Sequence, residues 1–416
     1  MSQKIQPPRG TSDVLAEAAD ARASLEATAR RVLEGSGYRR IETPTFEHTE
    51  LFARGVGEST DIVQKEMYTF DDGGGRSVTL RPEGTAPICR AYVEHGMHKL
   101  PQPVKLWYLS SFFRKEKPQA GRYRQFWQLG AEALGSDDPA VDAETILLLS
   151  DLLAQLEIGG MRLRLGSLGT LQARTAYREE LQAYLREHAD ALSGEVRSRI
   201  DLNPLRAFDS DDPGTRAVMA GAPRLLDRLD AQDAEHFATV RELLDRAQVS
   251  YDVDPTLVRG MDYYTRTVFE FTSDKLGAQS GVAGGGRYDG LVAMLGGPAT
   301  PGCGWAAGIE RIMLAGPSVP VAPPPVDLYV AFDGAPQRAS AFAVAAEARD
   351  ARLNVQMELA GRSRKGQLKQ ADRLAARYVA IVSEGGTVLK DMQGAEQIDV
   401  QADQVVTRIL RDRGMR

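Results

Sequence analysis

The chain has 416 residues, enough for two or three domains with ample core. Its 43% hydrophobic and 26% charged content is that of an ordinary globular protein, and a formal charge of −6 argues against a general polyanion binder, so nucleic-acid contact has to come from local basic patches. No apolar run reaches membrane-spanning length and Ser2-Gln3-Lys4-Ile5-Gln6-Pro7 carries no signal-peptide core, so a cytoplasmic protein with no membrane partner is expected. Cys89 and Cys303 form neither a disulfide framework nor a metal spacing, which suits a reducing cytosol.

Asp13 to Glu34 reads as a helix: Asp13 can cap it, Leu25, Ala29, Val32 and Leu33 recur at helical spacing, and Gly35 or Gly37 ends it. Tyr38 to Phe46 reads as a strand closed by Thr43-Pro44. Met67–Phe70 and Val78–Leu80 flank Gly73-Gly74-Gly75 as a hairpin. In Arg81-Pro82-Glu83-Gly84-Thr85-Ala86-Pro87, Thr85 can cap a helix that tolerates Pro87 in its first turn and runs to about Glu94. Glu83 then sits at a strand-to-helix turn. Its carboxylate either complements the helix dipole or faces the ammonium group of a ligand, and the pattern alone leaves both open.

The stretch from Val104 to Leu134 holds two aromatic-rich runs around Lys117-Pro118-Gln119-Ala120-Gly121, and reads as an antiparallel hairpin. Alternation puts Arg122, Arg124, Phe126, Gln128, Gly130 and Glu132 on one face, and Phe112, Arg114 and Glu116 together on the first strand. Gly130 is expected to leave floor space between Gln128 and Glu132. This surface is either a solvated sheet face with cross-strand ion pairs or a floor for a planar polyanion such as a nucleotide.

Asp142 to Leu156 reads as a helix and Met161 to Gly166 as a strand. From Leu171 to about Ser250 the composition shifts to Leu, Ala, Arg and Glu at helical spacing, which marks an inserted helical module. Leu257 to Thr265 and Val268 to Phe271 read as strands, and Gly284 to Gly290 as a glycine loop before a helical run, Leu291 to Leu295. Gly302, Gly304 and Gly308 precede a helix from Ile309 to Leu314, but at a spacing one residue too long for a dinucleotide fingerprint. There is no phosphate loop of the Walker type. A proline-rich stretch at 316–325 reads as a stiff linker. Beyond it, alternating strands and helices imply a small α/β domain carrying Arg362, Arg364, Lys365, Lys369, Arg373 and Arg377. That cluster is either a solvated face or a phosphate contact. His48, His95, His98, His188 and His236 form no triad or metal set.

Taken together these residues resemble the histidyl-tRNA synthetase family of the class II aminoacyl-tRNA synthetases, over essentially the whole chain. Gly37-Tyr38-Arg39-Arg40-Ile41-Glu42-Thr43-Pro44, the central hairpin, and Gly304-Trp305-Ala306-Ala307-Gly308-Ile309-Glu310-Arg311 are similar to the three loose class II motifs. Leu257-Val258-Arg259-Gly260-Met261-Asp262-Tyr263-Tyr264-Thr265 and Gly284-Gly285-Gly286-Arg287-Tyr288-Asp289-Gly290 are far more specific to the family, and Arg81-Pro82-Glu83-Gly84-Thr85 fits it. Trp127, Lys115, Trp305 and Met261 stand where the family often has histidine, tyrosine, phenylalanine and leucine.

The resemblance implies an α+β fold: a class II antiparallel-sheet catalytic domain over 1–320 with the helical insertion at 171–250, and an anticodon-binding α/β domain over 326–416. It implies a homodimer joined through the first motif, with L-histidine, ATP with Mg2+ and tRNA(His) as ligands, and it assigns no residue to a metal. Arg114 and Arg259 match the catalytic pair of arginines. Glu116, Arg122, Phe126 and Arg311 join Arg114 around ATP, with Phe126 and Arg311 sandwiching adenine. Glu83, Gly84, Thr85 and Gln128 match the part of the histidine site that takes the ammonium group, and Glu132 and Tyr264 the imidazole readers, with Tyr263 and Tyr288 beside them. Lys117 and Gln119 are placed for tRNA. The rival is a non-catalytic paralogue such as the ATP phosphoribosyltransferase regulatory subunit. Those proteins lack the C-terminal domain and erode the Arg-Gly-x-Asp-Tyr-Tyr stretch, and both are intact here.

Overall fold

The computed structural model describes residues 4–58, 60–317, 325–394 and 396–414. It divides into two compact units, Met1–Val319 and Pro320–Arg416. Most of the proline-rich stretch read as a linker, 318–324, lies outside the described residues.

The first unit begins with helix α1 (Ala16–Gly35), short strands β1 (Arg39–Arg40) and β2 (Phe46–His48), and helix α2 (Thr49–Val56). A hairpin of β3 (Tyr68–Asp71) and β4 (Ser77–Leu80) leads into helix α3 (Thr85–Glu94). The long central hairpin is β5 (Val104–Phe113) and β6 (Gln125–Leu134), followed by α4 (Pro139–Gln155) and β7 (Met161–Ser167). Helices α5 (Leu171–Glu187), α6 (Gly194–Arg199), α7 (Pro213–Ala220) and α8 (Ala231–Arg246) form the inserted run. The chain then returns through β8 (Asp252–Val253), β9 (Thr265–Ser273), β10 (Gly281–Arg287), α9 (Leu291–Met294), β11 (Gly302–Gly308) and α10 (Ile309–Ala315).

Eight of these strands make one sheet in the order β1-β5-β6-β11-β10-β9-β7-β8, antiparallel except for the two short edge strands. Strand alternation sorts its side chains. Trp107, Leu129, Ala131, Leu163, Phe269 and Trp305 point to one side, where α1, α4, α8 and α10 bury them. Tyr108, Phe112 and Val268 point to the other, toward α3 and the inserted helices. The cleft described below opens on this second face.

Several local readings change. Leu15, not Asp13, precedes the first turn of α1, with no side-chain cap. Only Arg39–Arg40 and Phe46–His48 of the first expected strand region pair, because Thr43-Pro44 breaks the ladder. Leu257–Tyr264 is irregular loop leading into β9. Of the stretch Gly284 to Gly290 read as a loop, Gly284–Arg287 belongs to the buried strand β10, with Gly284 opposite Ala306 and Gly285 opposite Trp305. Glycine-rich sequence suggests a turn, but here close packing on both sides of the sheet selects it.

Arg287, at the end of β10, is fully buried. Its Nε lies 3.1 Å from both carboxylate oxygens of Asp142 on α4, and it also donates to Ser136 O at 3.0 Å and Asp138 O at 3.2 Å. The pair ties sheet to helix. His236, 3.3 Å away, and the Arg287 guanidinium hold the Asp142 carboxyl below its ordinary range against the cost of burial.

The second unit has a five-stranded sheet in the order β13 (Val355–Met357), β12 (Leu328–Phe332), β14 (Tyr378–Ser383), β15 (Gly386–Asp391), β16 (Gln397–Val400), with helices α11 (Arg338–Asp350), α12 (Arg364–Arg373) and α13 (Val405–Asp412). The first three strands are parallel, as strand–helix alternation predicts, and the last two add antiparallel. The strand β16 escapes sequence reading because only Ile398 and Val400 are apolar in it.

Asp142→Ala strips the buried Arg287 of its fully buried partner and leaves only Asp289, at 3.1 Å, to balance its charge. It should cost about 3–5 kcal/mol in a denaturant titration followed by near-ultraviolet dichroism.

Candidate active site

The central hairpin sets the floor. Ser110 pairs with Gln128, Tyr108 with Gly130 and Leu106 with Glu132, and β11 continues these rows with Gly308, Ala306 and Gly304. Gly284 on β10 then lies opposite Ala306, and Glu270 on β9 opposite Gly284. The resulting cleft of about 390 Å³ runs over the sheet from the start of α3 to α10. Gly130 does not leave open floor, as alternation alone suggested. The Tyr108 ring fills that space, and a Cβ on Gly130 would sit 2.3 Å from its Cζ.

At one end of the cleft Glu83 precedes α3 and caps it. Its carboxylate accepts from Thr85 N at 2.8 Å and Ala86 N at 3.0 Å. The cap is therefore Glu83 and not Thr85, whose hydroxyl instead donates to Glu132 Oε1 at 2.7 Å. Tyr288 donates to the other oxygen, Oε2, at 2.6 Å. Glu132 is 1% exposed, and burial pushes its carboxyl up to about 8, more than the two hydroxyls lower it. Tyr263 packs between Tyr264 and Tyr288, with ring centroids at 4.7 and 5.8 Å. A neutral acid thus stands at the base of a pocket walled by phenols.

The other end is cationic. Arg114 donates from Nε to Pro82 O at 2.9 Å and lies 5.3 Å over the Phe126 ring. Glu116 sits 3.6 Å from Arg114 and 3.2 Å from Arg122. Arg259 lies against Gly284, where a Cβ would come 2.7 Å from Nη2, and pairs with Glu270 at 3.2 Å. Arg164 shares Glu270 at 3.3 Å. Arg311 donates from Nε to Gly121 O at 3.0 Å and from Nη1 to Gly281 O at 2.5 Å, so the cation over Phe126 here is Arg114 and not Arg311.

Arg206 and Asp209, from the inserted run, close the side of the cleft. They also line a separate recess of about 450 Å³ whose wall includes Asp61. Asp61 is gripped by Arg206 at 3.0 Å and Arg199 at 3.4 Å, and these two guanidiniums and Lys65 pull its carboxyl below the ordinary range against burial. Among the described residues no three His, Cys, Asp or Glu side chains gather as a metal set, and no helix is long and apolar enough to cross a membrane.

Residues 10–312 match the family described as Histidyl-tRNA synthetase. The chain belongs to the histidyl-tRNA synthetase family. It is 48% identical to a protein named Histidine--tRNA ligase from Halorhodospira halophila, over 98% of each chain. Among solved structures it resembles the apo S. aureus histidyl-tRNA synthetase, with a TM-score of 0.79, 33% identity and coverage of 98% of this chain and 100% of that one. A Bacillus halodurans structure titled ATP phosphoribosyltransferase regulatory subunit/histidyl-tRNA synthetase is 22% identical with a TM-score of 0.67, over 92% of this chain and 99% of that one, and shows the fold alone. The fold is class II α+β.

Of the residues matched to this family by sequence, Glu83, Gly84, Thr85, Arg114, Glu116, Arg122, Phe126, Gln128, Arg259, Tyr263, Tyr264, Tyr288 and Arg311 line the one cleft, and Glu132 bonds into it. Lys117 and Gln119 lie outside it on the exposed hairpin loop. Alternation fails beyond Gln125, where Tyr123 lines the cleft beside Arg122 while Arg124 turns to donate to Glu116 O at 3.4 Å. Trp127 lies on the far face, stacked 5.6 Å from Arg22, and Lys115 reaches outward over Tyr68. The Tyr263 hydroxyl donates to Met261 Sδ at 2.7 Å. Sequence reading missed Tyr108, Arg164, Arg206 and Glu270. Tyr108 was within reach, since it stands opposite Gly130 once the hairpin register is drawn. For the other three, the contacts that bring them to the cleft carry no local sequence signal.

Glu132 binds its proton more tightly folded than unfolded, so its contribution to stability is full below about pH 4.5 and lost as pH rises toward 8. Glu132→Gln cannot ionise. Its melting temperature relative to wild type should climb steadily between pH 5 and 8, and parallel curves would contradict the raised value.

Proposed function

We propose that this cleft joins L-histidine to ATP as histidyl-adenylate and passes the histidyl group to the terminal adenosine of tRNA(His). The observation that carries this reading is the buried Glu132 carboxyl among Tyr263, Tyr264 and Tyr288, on the same floor as two guanidiniums. An imidazole meets Glu132 and Tyr264, its ammonium group meets Glu83, Thr85 and Gln128, and its carboxylate then faces Arg114 and Arg259.

In the first step a carboxylate oxygen attacks the α-phosphorus, the bond to the bridging oxygen breaks, and pyrophosphate leaves. Such a step needs charge neutralisation and alignment more than a general base. Arg114 holds the α-phosphate, and Arg259, steadied by Glu270, balances the developing charge. Adenine lies between Phe126 and Arg311, with Glu116 at its edge and Arg122 nearby, an arrangement that suits a ring and a guanidinium plane. Mg2+ arrives with ATP as part of the substrate. In the second step the adenosine hydroxyl attacks the acyl carbon and AMP leaves.

Lys117 and Gln119, exposed on the hairpin loop, contact the acceptor stem, and the inserted helices reach the acceptor arm. In the second unit Lys365, Lys369 and Arg373 stand exposed one turn apart on α12, while Arg362, Arg364 and Arg377 are paired with Glu358, Asp333 and Asp391. That face is the anticodon contact. Two copies associate through the region of Gly37 to Pro44, and the enzyme works in the cytoplasm. Because the site hydrogen-bonds its side-chain ligand, it rejects isosteres lacking those nitrogens by about four to five orders of magnitude and needs no editing step. A non-catalytic paralogue is not favoured, given 48% identity to a named ligase.

Pyrophosphate exchange run separately with all twenty amino acids tests the reading: histidine alone should support it, and a different preferred substrate would end it. Arg259→Ala should keep ATP binding while exchange falls about 10²–10³-fold. Histidine affinity should follow a bell-shaped pH curve. One proton is shared between an imidazole near 6.5 and Glu132 near 8, so binding is tightest between those values and weakens about tenfold per pH unit outside them.

A further inference from the structure

Tyr108 occupies the middle of the floor, with its ring 5.8 Å from that of Phe112. Its ring, 3% exposed, lies between two glycines: a Cβ would come 2.5 Å from Cζ if built on Gly84 and 2.3 Å if built on Gly130. A larger residue at either position displaces the ring. The hydroxyl so wedged is buried and makes no hydrogen bond among the described residues. Gln128 Oε1, one row along the same face, is also buried and unpaired. Buried polar atoms left without partners are uncommon, and two of them side by side in one cleft point to a ligand that satisfies both.

The chemistry of that ligand group follows from its surroundings. A carbonyl oxygen such as Gln128 Oε1 only accepts, and the Glu83 carboxylate, one residue before Gly84, accepts as well. A phosphate or carboxylate brings no donor for these oxygens. The acid at the pocket base is already supplied, since Glu132 takes hydrogen bonds from Thr85 and Tyr288. Burial and the carboxyl groups of Glu132 and Glu83 push the Tyr108 phenol well up, so it stays neutral and keeps its lone pairs.

We propose that the Tyr108 hydroxyl accepts a hydrogen bond from the α-ammonium group of the amino-acid substrate, joining Glu83, Thr85 and Gln128 as a fourth oxygen acceptor around its three N–H donors. The inference rests on the histidine reading of the cleft and adds a specificity residue to it. Tyr108 selects for the amine, as Glu132 selects for the ring.

Tyr108→Phe removes the hydroxyl and keeps the ring between the glycines. The unliganded variant should melt no lower than wild type, because the lost hydroxyl pairs with nothing. Dissociation constants are then measured by calorimetry or ligand-observed NMR for histidine and for imidazolepropionate, the same molecule without its amino group. Histidine should bind the variant about ten- to a hundredfold more weakly, with imidazolepropionate within about twofold of its wild-type value and the KM for ATP unchanged. An unchanged histidine constant overturns the proposal. Equal losses for both ligands overturn it too, since they would place Tyr108 at the ring. Wild-type protein that binds neither ligand sinks the histidine reading itself, a result visible before any variant is made.

Discussion

Gly130, Gly284 and Gly304 lie on one face of adjoining strands, and the atoms above them belong to side chains rooted elsewhere. Tyr108 covers Gly130, Arg259 covers Gly284, and a Cβ on Gly304 would come 1.8 Å from Glu132 Oε2. A sheet normally fills both faces with its own side chains. Here one face is left open at these three positions, so that neighbouring functional groups can lie flat across them. The opposite face carries the packing, with Trp107, Leu129 and Trp305 buried under α1, α4 and α10. The chemistry is thereby confined to one side of the layer, while both sides contribute to the core.

The charge along this floor is graded. Burial keeps Glu132 neutral at one end, while Arg114, Arg122 and Arg259 supply cations at the other. The carboxylates nearest the cationic end are already engaged, Glu116 by Arg114 and Arg122, and Glu270 by Arg259 and Arg164. These pairs hold the guanidiniums in position before a ligand arrives, and preorganisation of this kind is where electrostatic catalysis gains most. Glu83 joins the two regions, as a helix cap whose carboxylate lines the cleft.

Much of this was legible in the residues. The alternation of the central hairpin placed Phe126, Gln128 and Glu132 together, and the specific stretches around Arg259 and Tyr288 brought in the rest. What stayed hidden depends on contacts that no local pattern encodes. The run from Gly284 reads as a loop because sequence carries no sign that strands on both its edges will take Gly284–Arg287 into the sheet. Thr85 reads as a cap by propensity, yet Glu83 takes the first amides of the helix, those of Thr85 and Ala86, and the threonine hydroxyl turns to Glu132. Glu270 and Arg206 gain meaning from tertiary partners that no spacing signals, Arg259 and Arg164 for the one and Asp61 for the other.

Arg206 and Asp209 stand between two spaces, the cleft on one side and the recess bounded by Asp61 on the other. They act as a party wall, and a party wall cannot move into one room without enlarging the other. The chamber where small molecules react therefore shares its dimensions with a compartment built largely from the inserted helices.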